Sequence, residues 1–338
     1  MPRRRAQCSA PNTRTNGERM PKRMTFSASA LALSVALITM DPAHAGSIAY
    51  TTDEGAGTVS VIDIDRGAVV GTIPAGDKPR GAAVTPDGRF MYVSDQPNNV
   101  LAVIDLGLRQ RTATVALASS PEGVAISDDG KWIVVANEEA NTVSFIDTAK
   151  NTETFQVDTQ GENPERAKFS PDGRWLYVTA ENGAEVDVID VAARKSIKLV
   201  PVGIHPRDIA FSADGRRVFV ACQDSDFMAV LDASTHEPLA NVPYRKGGAG
   251  LAVHPNGKWV YLSNRSDNTV TVIDAATLKI IAEVKVGRRP WNMTTSRDGK
   301  WLFVANGKSN SVTVIDTANN KVAKEVPVGT TPWGVFLR

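Results

Sequence analysis

Short runs of alternating apolar and polar residues recur along most of the chain, and glycine, proline, asparagine or aspartate bounds each run. Alternation over four to eight residues between such turn-forming residues is typical of β-strands. The segment 79–117 contains four runs, at residues 80–85, 90–94, 100–105 and 111–117. An Asp-Gly turn separates the first two runs, because a tight hairpin needs residues that tolerate positive φ. The segment therefore predicts four short antiparallel strands.

An apolar run that ends in aspartate occurs seven times at a nearly fixed interval. Successive aspartates are 42 or 43 residues apart, at Asp63, Asp105, Asp147, Asp190, Asp232, Asp274 and Asp316. A repeat of about 40–45 residues with four strands per unit is typical of a β-propeller blade. We therefore predict an all-β fold, a seven-bladed β-propeller of four-stranded antiparallel blades.

The two ends of the repeat region together supply one blade. Residues 332–337 have the pattern of a first strand, whereas the repeats open at residues 48–50 with the pattern of a second strand. One C-terminal strand plus three N-terminal strands would complete the seventh blade, and such closure removes exposed sheet edges. We expect a single domain over residues 46–338.

The first 45 residues have a different pattern. An arginine-rich polar stretch precedes an apolar run at residues 28–40, and the small residues Ala43 and Ala45 follow. This order is typical of a secretory signal peptide, and the apolar run is too short to span a bilayer as a helix. We predict a leader over residues 1–45, cleavage after Ala45, a periplasmic location and no membrane span in the mature chain.

Removal of this leader reverses the sign of the net charge. The leader holds seven of the 38 Lys and Arg residues and two of the 37 Asp and Glu residues, so the formal net charge changes from +1 to −4. Nucleic-acid binding uses a basic surface, so a nucleic-acid partner is not expected. Cys222 is the one cysteine after residue 45. It forms no disulfide within the chain, and we interpret it as a buried apolar residue rather than a reactive thiol.

Motifs for catalysis or metal binding are absent from the sequence. The repeated aspartates precede turn residues such as Thr148 and Ala149, where a short side-chain acceptor closes an Asx turn. No Cys-x-x-Cys-His, Gly-x-Ser-x-Gly or glycine-rich phosphate motif occurs. We predict no catalytic residue, no metal site and no covalently attached haem.

The second strands share a motif, seen at Tyr92-Val93-Ser94-Asp95 and Tyr261-Leu262-Ser263-Asn264. With the Asp-Gly turns, it resembles the YVTN-type seven-bladed propeller repeat over essentially the whole mature chain. Within that group the chain most resembles exported propeller proteins associated with alcohol catabolism that depends on pyrroloquinoline quinone (PQQ). This resemblance implies a non-enzymatic periplasmic binding or scaffold protein, an accessory factor in PQQ-dependent alcohol oxidation. PQQ is the ligand and a periplasmic quinoprotein dehydrogenase the partner that it implies.

Breaks in the repeat supply the candidate ligand-binding residues. Loops that enter the first strands and loops that follow the second strands share one rim of a propeller, where ligands usually bind. At one equivalent position of each blade, two residues after the start of the first strand, glycine fills four of the seven slots, whereas Arg166, Asp208 and Asn292 fill the others. At the ends of two second strands, Ala180 and Cys222 replace Asn or Asp. The candidates are Lys78, Arg80, Glu122, Glu165, Arg166, His205, Arg207, Asp208, Arg289, Trp291, Asn292 and Trp333.

The chemistry of these candidates fits a small planar anion. Arginine offers a planar fork for carboxylates, and Trp291 and Trp333 on adjacent blades offer flat apolar faces. The basic residues expected to contact the anion are Lys78, Arg80, Arg166, Arg207 and Arg289. We expect Arg166 and Arg207 to be exposed, so that replacing both by alanine weakens binding at least about tenfold and barely changes stability.

Two other functions would use the same rim. A propeller lactonase or metal-dependent hydrolase needs an inward-facing metal cage or acid–base pair, for which the candidates are Glu122, Glu165, Asp208 and Asn292. A redox-complex subunit related to the haem d1 or amine dehydrogenase propellers would hold haem non-covalently or dock a redox partner. Both alternatives rest on more distant resemblance than the PQQ-associated proteins.

Overall fold

A computed structural model of the protein describes residues 48–337. The predicted leader at residues 1–45 and its cleavage site lie outside the described residues. Within the described range, no helix combines the length and the apolarity that crossing a membrane requires. The same range contains one short 3-10 helix, Gln96–Asn98, and otherwise strands and turns.

The described residues form 28 strands in seven four-stranded antiparallel sheets. In chain order the strands are β1 Ile48–Asp53, β2 Thr58–Asp63, β3 Ala68–Pro74, β4 Pro79–Val84, β5 Phe90–Asp95, β6 Val100–Asp105, β7 Gln110–Ala116, β8 Pro121–Ile126, β9 Trp132–Asn137, β10 Thr142–Asp147, β11 Thr152–Asp158, β12 Pro164–Phe169, β13 Trp175–Ala180, β14 Glu185–Asp190, β15 Lys195–Pro201, β16 Pro206–Phe211, β17 Arg217–Cys222, β18 Phe227–Asp232, β19 Pro238–Pro243, β20 Gly248–Val253, β21 Trp259–Asn264, β22 Thr269–Asp274, β23 Ile280–Lys285, β24 Pro290–Thr295, β25 Trp301–Asn306, β26 Ser311–Asp316, β27 Lys321–Pro327 and β28 Pro332–Leu337.

Blades 1 to 6 are consecutive groups of four strands that begin at β4, β8, β12, β16, β20 and β24. Blade 7 has the order β28-β1-β2-β3. In it, Ala49 pairs with Leu337, Tyr50 with Phe336, and Thr51 with Val335. The predicted seven-bladed fold and its closure by one C-terminal and three N-terminal strands are confirmed.

Apolar side chains fill the spaces between neighbouring blades. Each of the seven buried apolar clusters joins strands of two adjacent blades. Period-2 alternation sends successive side chains of a strand to opposite faces, so each central strand contributes to two clusters. One such strand is β5, in which Met91 packs towards blade 7 and Tyr92 towards blade 2. Stability is therefore distributed around the ring.

The repeated aspartates at the ends of the third strands close turns, as predicted. Asp147 Oδ1 accepts hydrogen bonds from the backbone N–H groups of Ala149 at 2.9 Å and Lys150 at 3.2 Å. Each of the other six accepts a backbone N–H from a residue two or three positions ahead. These carboxylates therefore have a structural role at the rim opposite the candidate residues.

In blade 1 the last residue of the second strand, Asp95, fastens the loop that enters the blade. Asp95 Oδ1 accepts the backbone N–H groups of Asp77 at 3.1 Å and Lys78 at 3.0 Å. In blade 3, where Ala180 stands at this position, Asp187 of β14 accepts the N–H of Gln160 at 2.6 Å instead. Ala180 lacks the side-chain acceptor that Asp95 supplies in blade 1, and Asp187 of the same blade takes over this role.

Cys222 ends the second strand of blade 4 and is fully buried. Burial raises the pKa of its thiol to about 11. A thiol with so high a pKa is protonated and unreactive at neutral pH. The structure supports the interpretation of Cys222 as a buried apolar residue.

Asp53 is the equivalent of Asp95 in blade 7 and is fully buried. Its carboxylate accepts hydrogen bonds from Ser60 Oγ at 2.6 Å and Thr58 Oγ1 at 3.3 Å. Burial nevertheless raises the pKa of Asp53 from 3.8 to about 7. Because the folded-state pKa is raised, the corresponding stability is fully present below about pH 4 and is lost as the pH rises to about 7.

The substitution Asp53→Asn is expected to stabilise the fold at pH 8 by a few kcal/mol and to have a smaller effect at pH 4, since one pKa unit corresponds to about 1.4 kcal/mol. Blade 2 carries Asn137 at this position, and its amide donates to Thr142 Oγ1 at 3.0 Å and Ser144 Oγ at 2.8 Å. Thermal unfolding at both pH values measures the effect. A destabilised variant at pH 8 would contradict this role of burial.

Candidate functional site

A cavity of about 240 Å³ opens at the rim where the first strands begin and the second strands end. Its lining residues are Glu54, Arg80, Glu165, Arg207, Arg265, Arg289, Trp291, Gly307, Thr331, Pro332 and Trp333. Six of the twelve candidate residues from the sequence line this cavity. Residues that are far apart in the chain meet here because every blade presents the same loop at the same rim.

Three arginines from three different blades surround Trp291. Their guanidinium carbons lie 4.7 Å (Arg265), 5.0 Å (Arg289) and 5.8 Å (Arg207) from the centre of its ring. At such distances a cation is attracted to the negative face of the indole. Arginines and one flat aromatic surface thus converge in a single cavity.

Arg265 is a cavity residue that the sequence interpretation missed. It directly follows the last residue of its second strand, Asn264, one position beyond the residues compared between blades. The same position carries Glu54, Gln96, Glu138, Glu181, Gln223 and Gly307 in the other blades. Comparison of this position would have shown both Arg265 and the acidic residues described below.

The three arginines differ in how their charges are balanced. Arg207 lies 2.8 Å from Glu165 Oε2 and 2.8 Å from Glu181 Oε1. By contrast, no carboxylate among residues 48–337 lies within 4.0 Å of the side-chain nitrogens of Arg265 or Arg289. Arg265 instead donates to the side-chain oxygen of Gln223. Two guanidinium groups next to Trp291 therefore form no ion pair with a carboxylate of the described residues.

The positive charges also act on one another. Burial lowers the pKa of Arg265, and the nearby positive charges of Arg289 and Arg207 lower it further. Crowded like charges in a partly desolvated space are stabilised by an anion. The electrostatics of this side of the cavity therefore favour a negatively charged group.

Lys78 and Arg80 are not free to bind an anion in the way that the sequence suggested. Arg80 forms ion pairs with the almost fully buried Glu122 and, at 3.4 Å, with Glu54. Lys78 Nζ lies 3.5 Å from Glu54 and donates to Gln96 Oε1 at 2.7 Å. On this side of the rim the basic residues are neutralised by acidic partners from neighbouring blades.

Arg166 crosses the central channel. Its guanidinium carbon lies 4.2 Å from the centre of the Trp333 ring, which belongs to blade 7, while Arg166 itself belongs to blade 3. Its Nε lies 3.5 Å from Asp208 Oδ1, and Asp208 Oδ2 accepts the backbone N–H of Leu251 at 2.8 Å. Arg166 is thus held in place by Asp208 of the adjacent blade and by Trp333 on the far side of the channel.

The contact between Arg166 and Trp333 lies between two cavities. Arg166, Asp208 and Asn292 line a second cavity of about 490 Å³ on the channel side, whereas Trp333 lines the rim cavity. Asn292 Nδ2 donates to the backbone oxygen of Trp333 at 3.1 Å. Arg166 thus makes the contact across the channel, whereas Asp208 and Asn292 bond to the blade next to their own.

Glycine at the equivalent slots of other blades has a packing reason. A Cβ atom on Gly81, Gly123 or Gly250 would lie within 2.5 Å of a backbone oxygen of the next blade. Such a distance is shorter than any real Cβ contact, so only glycine fits there without a backbone shift. Packing against backbone thus explains three of the four glycine slots, whereas Arg166 reaches a tryptophan across the channel and Asp208 and Asn292 bond to an adjacent blade.

The residues proposed for a hydrolase do not converge. Glu122 is paired with Arg80, Glu165 with Arg207, and Asp208 with Arg166. Within the described part of the chain, no group of three or more His, Cys, Asp and Glu side chains is arranged to hold a metal ion. His205, a further candidate, contacts Asp224 and does not line the rim cavity.

Glu165 is a carboxylate of the rim cavity with a strongly shifted pKa. Only 5% of the residue is exposed. Burial raises the pKa of Glu165 to about 7, and Glu181 raises it as well, although Arg207 and Arg166 oppose the shift. A group that changes its charge near neutral pH therefore lies beside the arginines.

Comparison with solved structures shows the fold in several proteins. Hydrazine synthase of Kuenenia stuttgartiensis is 25% identical, with a TM-score of 0.76, and the match covers 81% of this chain and 93% of that one. A functionally unknown protein from Desulfotomaculum acetoxidans is 18% identical, with a TM-score of 0.76 and coverage of 86% and 98%. Dihydro-heme d1 dehydrogenase NirN in complex with DHE is 18% identical, with a TM-score of 0.65 and coverage of 86% and 75%.

None of the curated proteins compared with the chain matches it. A family described as YNCE-like beta-propeller, in contrast, matches residues 27–338. This range includes all seven blades, and the repeat spacing, the strand order and the closure all agree with a propeller. The chain therefore belongs to the YNCE-like β-propeller family.

Proposed function

We propose that this protein is a non-enzymatic binding protein whose rim cavity holds a planar, carboxylate-bearing small molecule. The observation that carries the proposal is the convergence of Arg207, Arg265 and Arg289 on Trp291, with Arg265 and Arg289 forming no ion pair within the described residues. The indole would stack on the planar part of the ligand, and the free guanidinium groups would bind its carboxylates.

The volume of the cavity limits what it encloses. Ligand pockets for drug-sized molecules measure about 300–1,000 Å³. The rim cavity, at about 240 Å³, is smaller. It would therefore enclose a small planar anion or one carboxylate-bearing edge of a larger molecule, with the remainder extending over the rim.

PQQ is the first ligand to test, because it is a planar tricarboxylate and could insert one edge beside Trp291. The resemblance to exported proteins of PQQ-dependent alcohol oxidation supports this choice. The proposed role is that of a periplasmic accessory factor that presents or stores the quinone for a quinoprotein dehydrogenase. No step of catalysis is assigned to the chain in this role.

The double substitution Arg265→Ala with Arg289→Ala is expected to weaken binding at least about 100-fold. Each charge-assisted contact contributes about 1.5–3 kcal/mol, and about 1.4 kcal/mol is a factor of ten in affinity. Calorimetric titration with PQQ and with pyridine-2,6-dicarboxylate measures the affinities. Arg207 is left unchanged, because it also pairs with buried carboxylates.

Arg288→Ala with Arg297→Ala is the matched control, because it removes the same two charges from exposed positions outside the cavity lining. This control should bind within about threefold of the wild type, since charges at a distance are screened by salt. Equal affinities for the two double variants would reject the cavity as the binding site. No binding of either compound by the wild type would reject the ligand class.

A second candidate function is that of a subunit in a redox complex. The 25% identity to hydrazine synthase over most of both chains is the observation that favours it. In that case the propeller would dock a redox protein or hold haem non-covalently. An absorbance spectrum of protein purified from its native host distinguishes the two, because quinone and haem have different visible bands.

A further inference from the structure

We infer that an anion bound in the rim cavity is accompanied by a proton on Glu165, so that the cavity binds its ligand more tightly as the pH falls through neutrality. This inference rests on the proposed anion site and specifies its regulation. It assigns to Glu165 the role of a proton acceptor and not that of a ligand contact.

The geometry places Glu165 where a bound anion would affect it. Glu165 belongs to β12 and lines the same cavity as Arg265, Arg289 and Trp291. Its Oε2 accepts a hydrogen bond from Arg207 Nη1 at 2.8 Å, and Arg207 is one of the three arginines around Trp291. The carboxylate and the ligand would therefore share Arg207.

The charged groups that act on Glu165 are Arg207, Glu181, Arg166 and Arg265. Arg207 and Glu181 both act on it, from blade 4 and from the end of the second strand of blade 3. Arg166, the next residue in β12, acts as a further positive charge. Burial is nevertheless the largest influence and disfavours the charged form.

A ligand carboxylate would shift the equilibrium of Glu165 towards its protonated form. It adds negative charge beside Glu165, and it draws on Arg207, which stabilises the ionised form of Glu165 when the cavity is empty. Both effects raise the pKa of Glu165 from its starting value of about 7. Because the bound state then holds more protons than the free state, linkage requires tighter binding at lower pH.

The number of protons taken up follows from the starting ionisation. At pH 7 a group with a pKa near 7 is ionised in about half of the molecules, so up to about 0.5 proton should bind per ligand. At pH 8.5 Glu165 is almost fully ionised, and uptake of up to about one proton is expected if the bound-state pKa exceeds this pH. At pH 5.5 Glu165 is already protonated, and uptake should vanish.

Calorimetric titration in buffers of different ionisation enthalpy counts these protons. The probe is pyridine-2,6-dicarboxylate, whose carboxylates are fully ionised above pH 6. For the wild type we expect about 0.2–0.5 proton taken up per ligand at pH 7, and an affinity that falls at least about threefold from pH 6 to pH 8. Absence of proton uptake with normal binding would overturn the inference and leave the anion site intact.

The variant Glu165→Gln keeps the shape of the side chain and cannot ionise. It should bind the probe without proton uptake, and its affinity at pH 8 should match that of the wild type at pH 6. Glu139→Gln is the control, because Glu139 is exposed and lies outside the cavity lining. Proton uptake that persists in Glu165→Gln would assign the proton elsewhere and overturn the inference.

The proton count for the wild type does not depend on the variant, so it remains decisive if Glu165→Gln folds poorly. Circular dichroism of each variant establishes whether it is folded. Failure of the wild type to bind the probe at every pH between 5.5 and 8.5 would reject the anion site itself, and this inference with it.

Discussion

Deletion of residues 332–338 is expected to abolish the cooperative fold, because it removes the strand that closes the ring. The deleted strand contributes the buried Trp333 and Val335 to the core. Burial of one large apolar side chain contributes about 1.5–3 kcal/mol, whereas the net stability of a whole domain is about 5–15 kcal/mol. The deletion also exposes the edge of β1, which can pair with another chain.

Light scattering and thermal unfolding of the shortened chain measure this effect, and we expect aggregation together with loss of a sharp transition. A peptide with the sequence of residues 332–337 should restore part of the transition when added in excess, whereas a peptide of scrambled sequence should not. A shortened chain that stays monomeric and unfolds at the wild-type temperature would show that closure contributes little stability.

Arg207→Ala is expected to destabilise the protein by about 3–5 kcal/mol at pH 8, because loss of one partner leaves buried carboxylates unpaired. Both Glu165 and Glu181 lose their ion pair in this variant. Below pH 6 the loss should be smaller, since Glu165, with a pKa of about 7, is then protonated. Urea unfolding at pH 8 and pH 5 gives both values.

Arg289→Ala is the appropriate control for this prediction. Arg289 lies at the same cavity, but no carboxylate among the described residues pairs with it. Its replacement should therefore change stability by no more than about 0.5 kcal/mol. Equal losses for Arg207→Ala and Arg289→Ala would mean that the ion pairs of Arg207 are not what stabilises this rim.

The fold was predictable from the sequence because its determinants are local. The spacing of the aspartates defines the repeat, and each aspartate closes a turn with backbone groups two or three residues ahead. The closure was predictable as well, since only a first strand at one end and a second strand at the other complete seven blades. Leu337 pairs with Ala49 as this requires.

The candidate site was predictable in its position and not in its electrostatics. Repeat alignment places a residue on the rim, but it does not show which neighbour neutralises it. Arg80 was expected to be free and is paired with Glu122 of the next blade. Arg207 was expected to be exposed but is held by two carboxylates, so we now predict that its removal lowers stability.

Contacts across the channel were beyond any comparison of neighbouring repeats. Arg166 stacks on Trp333, which lies on a blade that is not adjacent in the ring. Whether an arginine crosses the channel depends on the channel width and on the side-chain conformation. Neither quantity is encoded in the spacing of a repeat.

The pairing of β28 with β1 has a consequence for the order in which the blades form. Blades 1 to 6 each consist of four consecutive strands, so each can pair its strands as soon as its own residues are free to fold. Blade 7 stays incomplete until residues 332–337 are also available. A chain that is delivered to its folding compartment from the N-terminal end therefore carries an unpaired β1 edge until that strand arrives, a state that is prone to aggregation and proteolysis. The time needed to deliver the remaining blades sets how long that edge is exposed.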